Sequence, residues 1–194
     1  MGNLLIRLLK KMDIENTNLD GVIVIKPQKF EDERGFFTEL YTQRKYLSNN
    51  IPEESVQFNF SHSKQNVLRG LHFQMQKPQG KIVQVLNGTI FDVGVDIRRN
   101  SSTFGKYFSM ELNHIDCFQV YFPPGIAHGF CVLTGSADVI YQCTDYYYPN
   151  DENGIIWNDP DLKIDWPIDN PIVSSKDQVF ERLSRLKSDK YPKV

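Results

Sequence analysis

Cysteine is scarce in this sequence: Cys117, Cys131 and Cys143 are the only three in 194 residues, well separated and odd in number. There is no CxxC pair, so neither a zinc site nor a disulfide framework is expected, and a cytoplasmic location suits such usage. An excess of one charge is also missing. Lys plus Arg number 22 against 24 Asp plus Glu, for a net charge of −2. That leaves no footprint for nucleic acid, although a local basic cluster could still hold a small phosphorylated ligand. No apolar run is long enough to span a bilayer. The opening MGNLLIRLLKKM is short and interrupted, is followed by no small-residue cleavage site, and has Ile6 where a myristoylation signal needs Ser or Thr. No membrane partner is expected. Internal repeats and low-complexity tracts are absent too. Residues 1–11 read as an unstructured leader, and residues 12–194 as one domain large enough for a sizeable core.

What is present points to strands. Aromatics make up 12% of residues, with nine Tyr and thirteen Phe, a usage that suits β structure. Residues 21–27 form a β-branched run closed by Pro27, and residues 30–39 a charged turn into an aromatic strand with Gly35 at the bend. Residues 55–62 alternate, with Gln57, Asn59 and Ser61 on one face and Val56, Phe58 and Phe60 on the other. Residues 81–86 run into Asn87-Gly88 and return along 89–97, which predicts a hairpin. Further strands are expected at 104–112, 118–122, 127–133, 137–141 and 143–148, with a turn at Pro123-Pro124-Gly125. One short helix is expected within 40–54 and another over Gln178–Lys187. Short strands at regular spacing, punctuated by Gly, Pro and Asn, argue for a mainly β sandwich or jelly roll with short peripheral helices.

The stretch with most chemistry is Asn66-Val67-Leu68-Arg69-Gly70-Leu71-His72-Phe73-Gln74. On an ideal strand Arg69 and His72 point to opposite faces. Both can reach one ligand only if the backbone turns near Gly70, so a bulge or twist is expected there. Taken alone, the stretch supports no more than a hydrogen-bonded histidine in a strand. A neutral imidazole in a pocket can abstract a proton near neutral pH, given an orienting carboxylate and a group that holds developing negative charge. Spacing does not say which carboxylate reaches His72, and Tyr141 in its own strand could be a core aromatic or a phenolic acid.

Pro123-x-Gly125-x-x-His128 resembles the second half-motif of the cupin barrels. The first half-motif of metal cupins has a His-x-His pair and a glutamate; here His72 stands alone, with Gln74 in place of the second histidine. A metal centre is therefore not expected. Nine ordered blocks are similar to one family, the dTDP-4-dehydrorhamnose 3,5-epimerases. They are DERGFF at 32–37, QxNxSxS at 57–63, NVLRGLHFQ at 66–74, FDVGVDIR at 91–98, STFG at 102–105, PPGIAHGF at 123–130, YQCTDYY at 141–147, WNDPDLKIDWP at 157–167 and SSKD at 174–177. SSTFG in place of SPTFG and Gly94 in place of a common alanine are departures that touch no proposed chemistry.

The resemblance implies a cupin-like jelly-roll barrel that forms homodimers with strand exchange. It implies a cofactor-independent epimerase that inverts C3 and C5 of dTDP-4-dehydro-6-deoxy-D-glucose, giving dTDP-4-dehydro-L-rhamnose in deoxysugar biosynthesis. By that comparison His72 is the base, Asp177 its partner, Tyr141 the acid on the opposite ring face, and Lys81 the cation near the keto oxygen. Arg34, Glu39, Gln57, Asn59, Arg69, His128, Glu152 and Lys176 match substrate-contact positions, with Arg34 possible from the neighbouring subunit. Tyr147 matches the aromatic stacked on thymine. Other readings are a mono-epimerase on a related nucleotide 4-ketosugar, a silent sugar-nucleotide binding module and a metal cupin oxygenase.

Overall fold

The computed structural model describes residues 12–49, 51 and 55–194; the expected leader at 1–11 lies outside the described residues. The chain order is β1 (Asp13–Asn16), β2 (Ile23–Lys26), β3 (Lys29–Asp32), β4 (Gly35–Thr38), α1 (Gln43–Leu47), β5 (Gln57–Lys64) and β6 (Val67–Gln74). There follow β7 (Lys81–Asn87), β8 (Thr89–Asp96), β9 (Tyr107–Asn113), β10 (Gln119–Phe122), β11 (Ile126–Val132), β12 (Ser136–Cys143), β13 (Glu152–Gly154) and β14 (Ile172–Val173). One sheet runs β1-β2-β10-β7-β12-β5 and the other β13-β6-β11-β8-β9, with β14 added in parallel to β6. Strands β3 and β4 form a hairpin that pairs with neither sheet. Two mainly antiparallel sheets face to face make the jelly roll that the strand spacing predicts. Among the described residues no helix is long and apolar enough to cross a membrane.

Alternation fills the space between the sheets. Val83 and Val85, Ile90, Val120 and Phe122, Ile126, Phe130 and Val132, and Ala137 and Val139 pack as one cluster. A second cluster covers the outside of the β6 sheet, where Leu71, Phe73, Val93, Val95 and Ile97 meet Ile155, Leu162 and Leu183 from the C-terminal segment. A third lies outside the other sheet, where Tyr46 of α1 and Ile51 cover Ile25, Ile82 and Tyr121. Apolar side chains on both faces of the central strands explain why β7 and β8 read as near-continuous hydrophobic runs.

Three expectations are corrected. Asn87-Gly88 is not a hairpin: β7 and β8 belong to opposite sheets, and Gly88, at φ 79°, turns a corner between them. A Cβ at Gly88 would lie 2.2 Å from the Ser136 carbonyl oxygen and 2.6 Å from Thr134 Oγ1, so the corner is pressed against the β11–β12 turn. The strand expected at 143–148 ends at Cys143, because Gln57 and Gln74 accept the Tyr147 and Tyr148 N–H groups instead. The helix expected at 178–187 is replaced by two short 3₁₀ turns, Asp177–Val179 and Leu183–Arg185. Tertiary partners take the backbone there: the Ile156 N–H donates to Glu181 O at 3.0 Å, and the Leu183 N–H to Asp159 Oδ2 at 2.8 Å.

Gly88→Ala combines positive φ with overlap against backbone, and should cost about 2–4 kcal/mol. The midpoint of urea unfolding reads this directly; an unchanged midpoint would show that the corner accepts a side chain.

Candidate active site

The inward rows that build the core become polar at one end of the barrel. Along β7 the row Val85, Val83 continues to Lys81; along β12 Ala137, Val139 continues to Tyr141; along β11 His128 lies between Ile126 and Phe130. With Gln57, Asn59 and Ser61 of β5 these residues line a cavity of about 340 Å³. Arg69, His72, Gln74, Gln79, Tyr147 and Glu152 complete much of its wall. Gln57, Asn59 and Ser61 thus share the inward face that the alternation assigns to them.

Strand β6 contributes both Arg69 and His72, because its register against β11 slips. His128 pairs with His72 and Phe130 with Arg69, so Gly70 and Leu71 stand opposite Gly129 alone. This is the bulge expected near Gly70. Gly70 has φ 122°, and a Cβ there would lie 2.6 Å from Gly129 Cα and 2.8 Å from His128 O. Only a residue without a side chain fits that approach. The Leu71 side chain turns out into the second cluster, while Arg69, whose Nε donates to Ser63 Oγ at 3.0 Å, stays on the cavity side.

His72 Nε2 lies 2.8 Å from Asp177 Oδ1, and the Gly70 N–H donates to Asp177 Oδ2 at 3.1 Å. Burial works to raise the Asp177 carboxyl, but these donors and the His72 charge outweigh it and hold the group below its ordinary value of 3.8. A carboxylate at Nε2 fixes the tautomer with Nδ1 unprotonated. Opposite it, buried His128 presents Nε2 to Asp92 Oδ1 at 2.7 Å, and Asp92 is fully buried with no partner for Oδ2. Burial pushes the His128 imidazole below its ordinary value, against the pull of Asp92. Burial also lowers Lys81, against Cys143, Glu152 and Asp92. The Lys81 ammonium makes no hydrogen bond or ion pair among the described residues. Tyr141 is pushed up, mainly by burial, so its phenol keeps its proton.

At the mouth, Glu152 Oε2 accepts from Tyr147 Oη at 2.9 Å and from Lys176 Nζ at 2.7 Å. Gln57 Oε1 accepts the Tyr147 N–H at 2.8 Å, and Gln57 Nε2 donates to Asn59 Oδ1 at 2.9 Å. Gln74, where metal cupins have a histidine, instead holds the loop after β12 through Tyr146 O and the Tyr148 N–H. Two candidates lie elsewhere in the single chain. Arg34 sits at the exposed tip of the β3–β4 hairpin, paired with Asp32, and Glu39 pairs with Lys45 at 2.6 Å beside a separate cleft. Asp92 and Phe180 were missed as neighbours of the two histidines. Strand parity with Ile90 points Asp92 inward; nothing in the sequence signals Phe180. Among the described residues no three His, Cys, Asp or Glu side chains gather as a metal-holding group.

The model of the dTDP-4-dehydrorhamnose 3,5-epimerase family matches residues 16–185. The chain belongs to this family. A dTDP-4-dehydrorhamnose 3,5-epimerase of Methanothermobacter thermautotrophicus is 45% identical over 170 residues, 86% of this chain and 92% of that protein. A dTDP-4-dehydrorhamnose 3-epimerase of Streptomyces niveus is 36% identical over 169 residues, 86% of this chain and 82% of its own. Among solved structures, dTDP-6-deoxy-D-glucose-3,5-epimerase of Legionella pneumophila in complex with dTDP-4-keto-L-rhamnose superposes with a TM-score of 0.90 at 44% identity, covering 94% of this chain and 98% of that one. Membership in the epimerase family accounts for the nine ordered blocks together.

The lowered Asp177 carboxyl has a consequence for stability. Its contribution is complete above the ordinary value of 3.8 and is lost as pH falls through the lower folded value. Urea unfolding of Asp177→Asn from pH 6 to pH 3 should therefore show a shallower acid loss than the parent. Parallel curves would mean that Asp177 is not held low by the fold.

Proposed function

We infer that the chain is a dTDP-4-dehydrorhamnose 3,5-epimerase, which inverts C3 and C5 of dTDP-4-dehydro-6-deoxy-D-glucose to give dTDP-4-dehydro-L-rhamnose in deoxysugar biosynthesis. The observation that carries the reading is His72, held by Asp177, in one cavity with Lys81 and Tyr141. His72 Nδ1 takes the proton from the carbon beside the 4-keto group. The C–H electrons form the enolate double bond, and the carbonyl oxygen takes the negative charge. Lys81, unpaired in the free site, meets that charge as it develops, which favours the transition state over the bound ketone. Tyr141 then returns a proton to the opposite face of the same carbon and the carbonyl re-forms. Repetition at the second carbon completes the change, with no net oxidation; phenol and imidazole recover their protonation states through solvent. The substrate's own carbonyl acidifies both positions, so the reaction asks for no cofactor.

Gln57, Asn59, Arg69, His128, Tyr147, Glu152 and Lys176 bind the nucleotide sugar in this reading, with Tyr147 against thymine and arginine on phosphate oxygens, which its planar fork can hold two at a time. The active form is a homodimer that completes each site with Arg34 and Glu39 of the neighbour. The β3–β4 hairpin supports this: it carries Arg34 away from both sheets and exposes Phe30 at 50% and Phe37 at 69%, and the edge strand β5 exposes Phe58 at 57% and Phe60 at 62%. Apolar patches of that kind mark interaction surfaces. Three free, buried cysteines suit a cytoplasmic setting.

Incubation with dTDP-4-dehydro-6-deoxy-D-glucose in deuterated water should place deuterium at C3 and C5; deuterium at one carbon alone selects a mono-epimerase, and none at either sinks the reading. His72→Asn should leave the fold intact and abolish exchange. Tyr141→Phe should slow turnover while first proton abstraction survives, and full turnover in either variant would remove that residue from the chemistry. Mixing Arg34→Ala with His72→Asn should restore about a quarter of wild-type activity, since half the dimers are hybrids with one intact site each. No restoration would mean that Arg34 acts within its own chain.

A further inference from the structure

The segment after β14 runs alongside β6 and β13 and turns two side chains toward His72. Asp177 reaches Nε2, and three residues later the Phe180 ring meets the imidazole edge-on, with centroids 5.8 Å apart and planes at 75°. The backbone is tied on both sides of Phe180. Gln178 N–H donates to Ser174 O at 3.1 Å, and Ile156 N–H to Glu181 O at 3.0 Å. Beneath the ring lies Gly154, directly opposite His72 in the β13–β6 register. A Cβ on Gly154 would lie 2.3, 2.5 and 2.6 Å from three carbons of the Phe180 ring. No positive φ calls for glycine there; the missing side chain serves the seating of Phe180.

A hydrogen bond at Nε2 leaves one freedom that matters. Rotation about the Cβ–Cγ bond moves Nδ1 further than Nε2, because Nε2 lies closer to the axis, so small swings can aim the base nitrogen elsewhere while the bond to Asp177 persists. The corresponding torsion of histidine is intrinsically broad. Asp177 alone therefore fixes the tautomer better than it fixes the direction of the base nitrogen. The geometry points to Phe180, seated on Gly154, as a positioning residue that sets the plane of the His72 ring and closes its bond with Asp177 to water. The inference rests on His72 being the base of the epimerisation.

The test measures kcat and KM for deuterium incorporation from dTDP-4-dehydro-6-deoxy-D-glucose, with thermal unfolding as the control for folding. Phe180→Ala should lower kcat about tenfold with KM within about twofold, because a mis-aimed base loses near-attack geometry without losing substrate contacts. Phe180→Tyr, which keeps the ring, should restore kcat to near wild type. Gly154→Ala should lower kcat comparably by pushing the ring aside. In the Phe180→Ala background it should cost nothing more, since the added methyl then has room, and this non-additivity marks action through Phe180. If Phe180→Ala does not fold, Gly154→Ala paired with Gly154→Ala/Phe180→Leu decides, the smaller side chain being expected to recover kcat. A folded Phe180→Ala or Gly154→Ala with wild-type kcat, losses that multiply, or a fall confined to KM would overturn the inference. An inactive wild-type enzyme would instead overturn the epimerase reading.

Discussion

Two residues of one strand stand opposite one residue of the next, and the cavity depends on that mismatch. Without the Gly70 bulge the pleat would send Arg69 and His72 to opposite faces. The close approach of Gly70 to Gly129 and to the His128 carbonyl places both on the inner side and turns Leu71 outward into the second cluster. Leu71 exchanges its ladder hydrogen bonds with Ile155, which helps hold the segment around β13 against β6. The Gly70 N–H then helps to place Asp177. One backbone irregularity thus orients His72, Asp177 and the strand beside them.

The second constraint is electrostatic. The barrel end gathers half-buried Lys81 with buried His128 and Asp92, and two of these groups are left incompletely matched. The Lys81 ammonium makes no hydrogen bond or ion pair among the described residues, and Asp92 Oδ2 has no partner. Withdrawing an ammonium from water is costly even in part, and desolvation lowers Lys81 below its ordinary value. An oxygen that becomes negative beside Lys81 relieves it, whereas a neutral carbonyl does so weakly. In the proposed reaction that difference favours enolate over ketone before any specific contact to the sugar is counted.

Much of this was legible in the sequence where period-two alternation operates. The parity of Gln57, Asn59 and Ser61, the run at Lys81–Leu86 and the conflict between Arg69 and His72 all follow from side chains alternating across a pleat. The jelly roll follows from the spacing of short strands. What failed was local reading of signals whose outcome is decided at long range. Asn87-Gly88 carries hairpin chemistry, but the glycine serves equally well at a corner, and the choice lay with the sheet that each strand joins. Residues 178–187 have helical spacing, yet Asp159 and Ile156 capture their backbone. The pairing of His72 with a carboxylate 105 positions away was available only by resemblance, and its contact with Phe180 not at all, because an edge-on ring leaves no motif.

The cavity holds two histidine–carboxylate pairs set cross-strand from each other, and they are not equivalent. Asp177 accepts hydrogen bonds on both oxygens and is held low, so it is ready to balance a proton gained by its histidine. Asp92 has one oxygen unmatched, and its partner His128 is pushed down by burial, with Lys81 and His72 adding to the shift. A proton placed on His128 would face the Lys81 ammonium at low dielectric, where like charges repel strongly. His128 is therefore suited to remain neutral and to orient substrate, while in the proposed mechanism the acid–base cycle runs through His72. The asymmetry comes from the surroundings of two chemically identical pairs: burial and a nearby cation at one, saturated acceptors and an edge-on phenyl ring at the other.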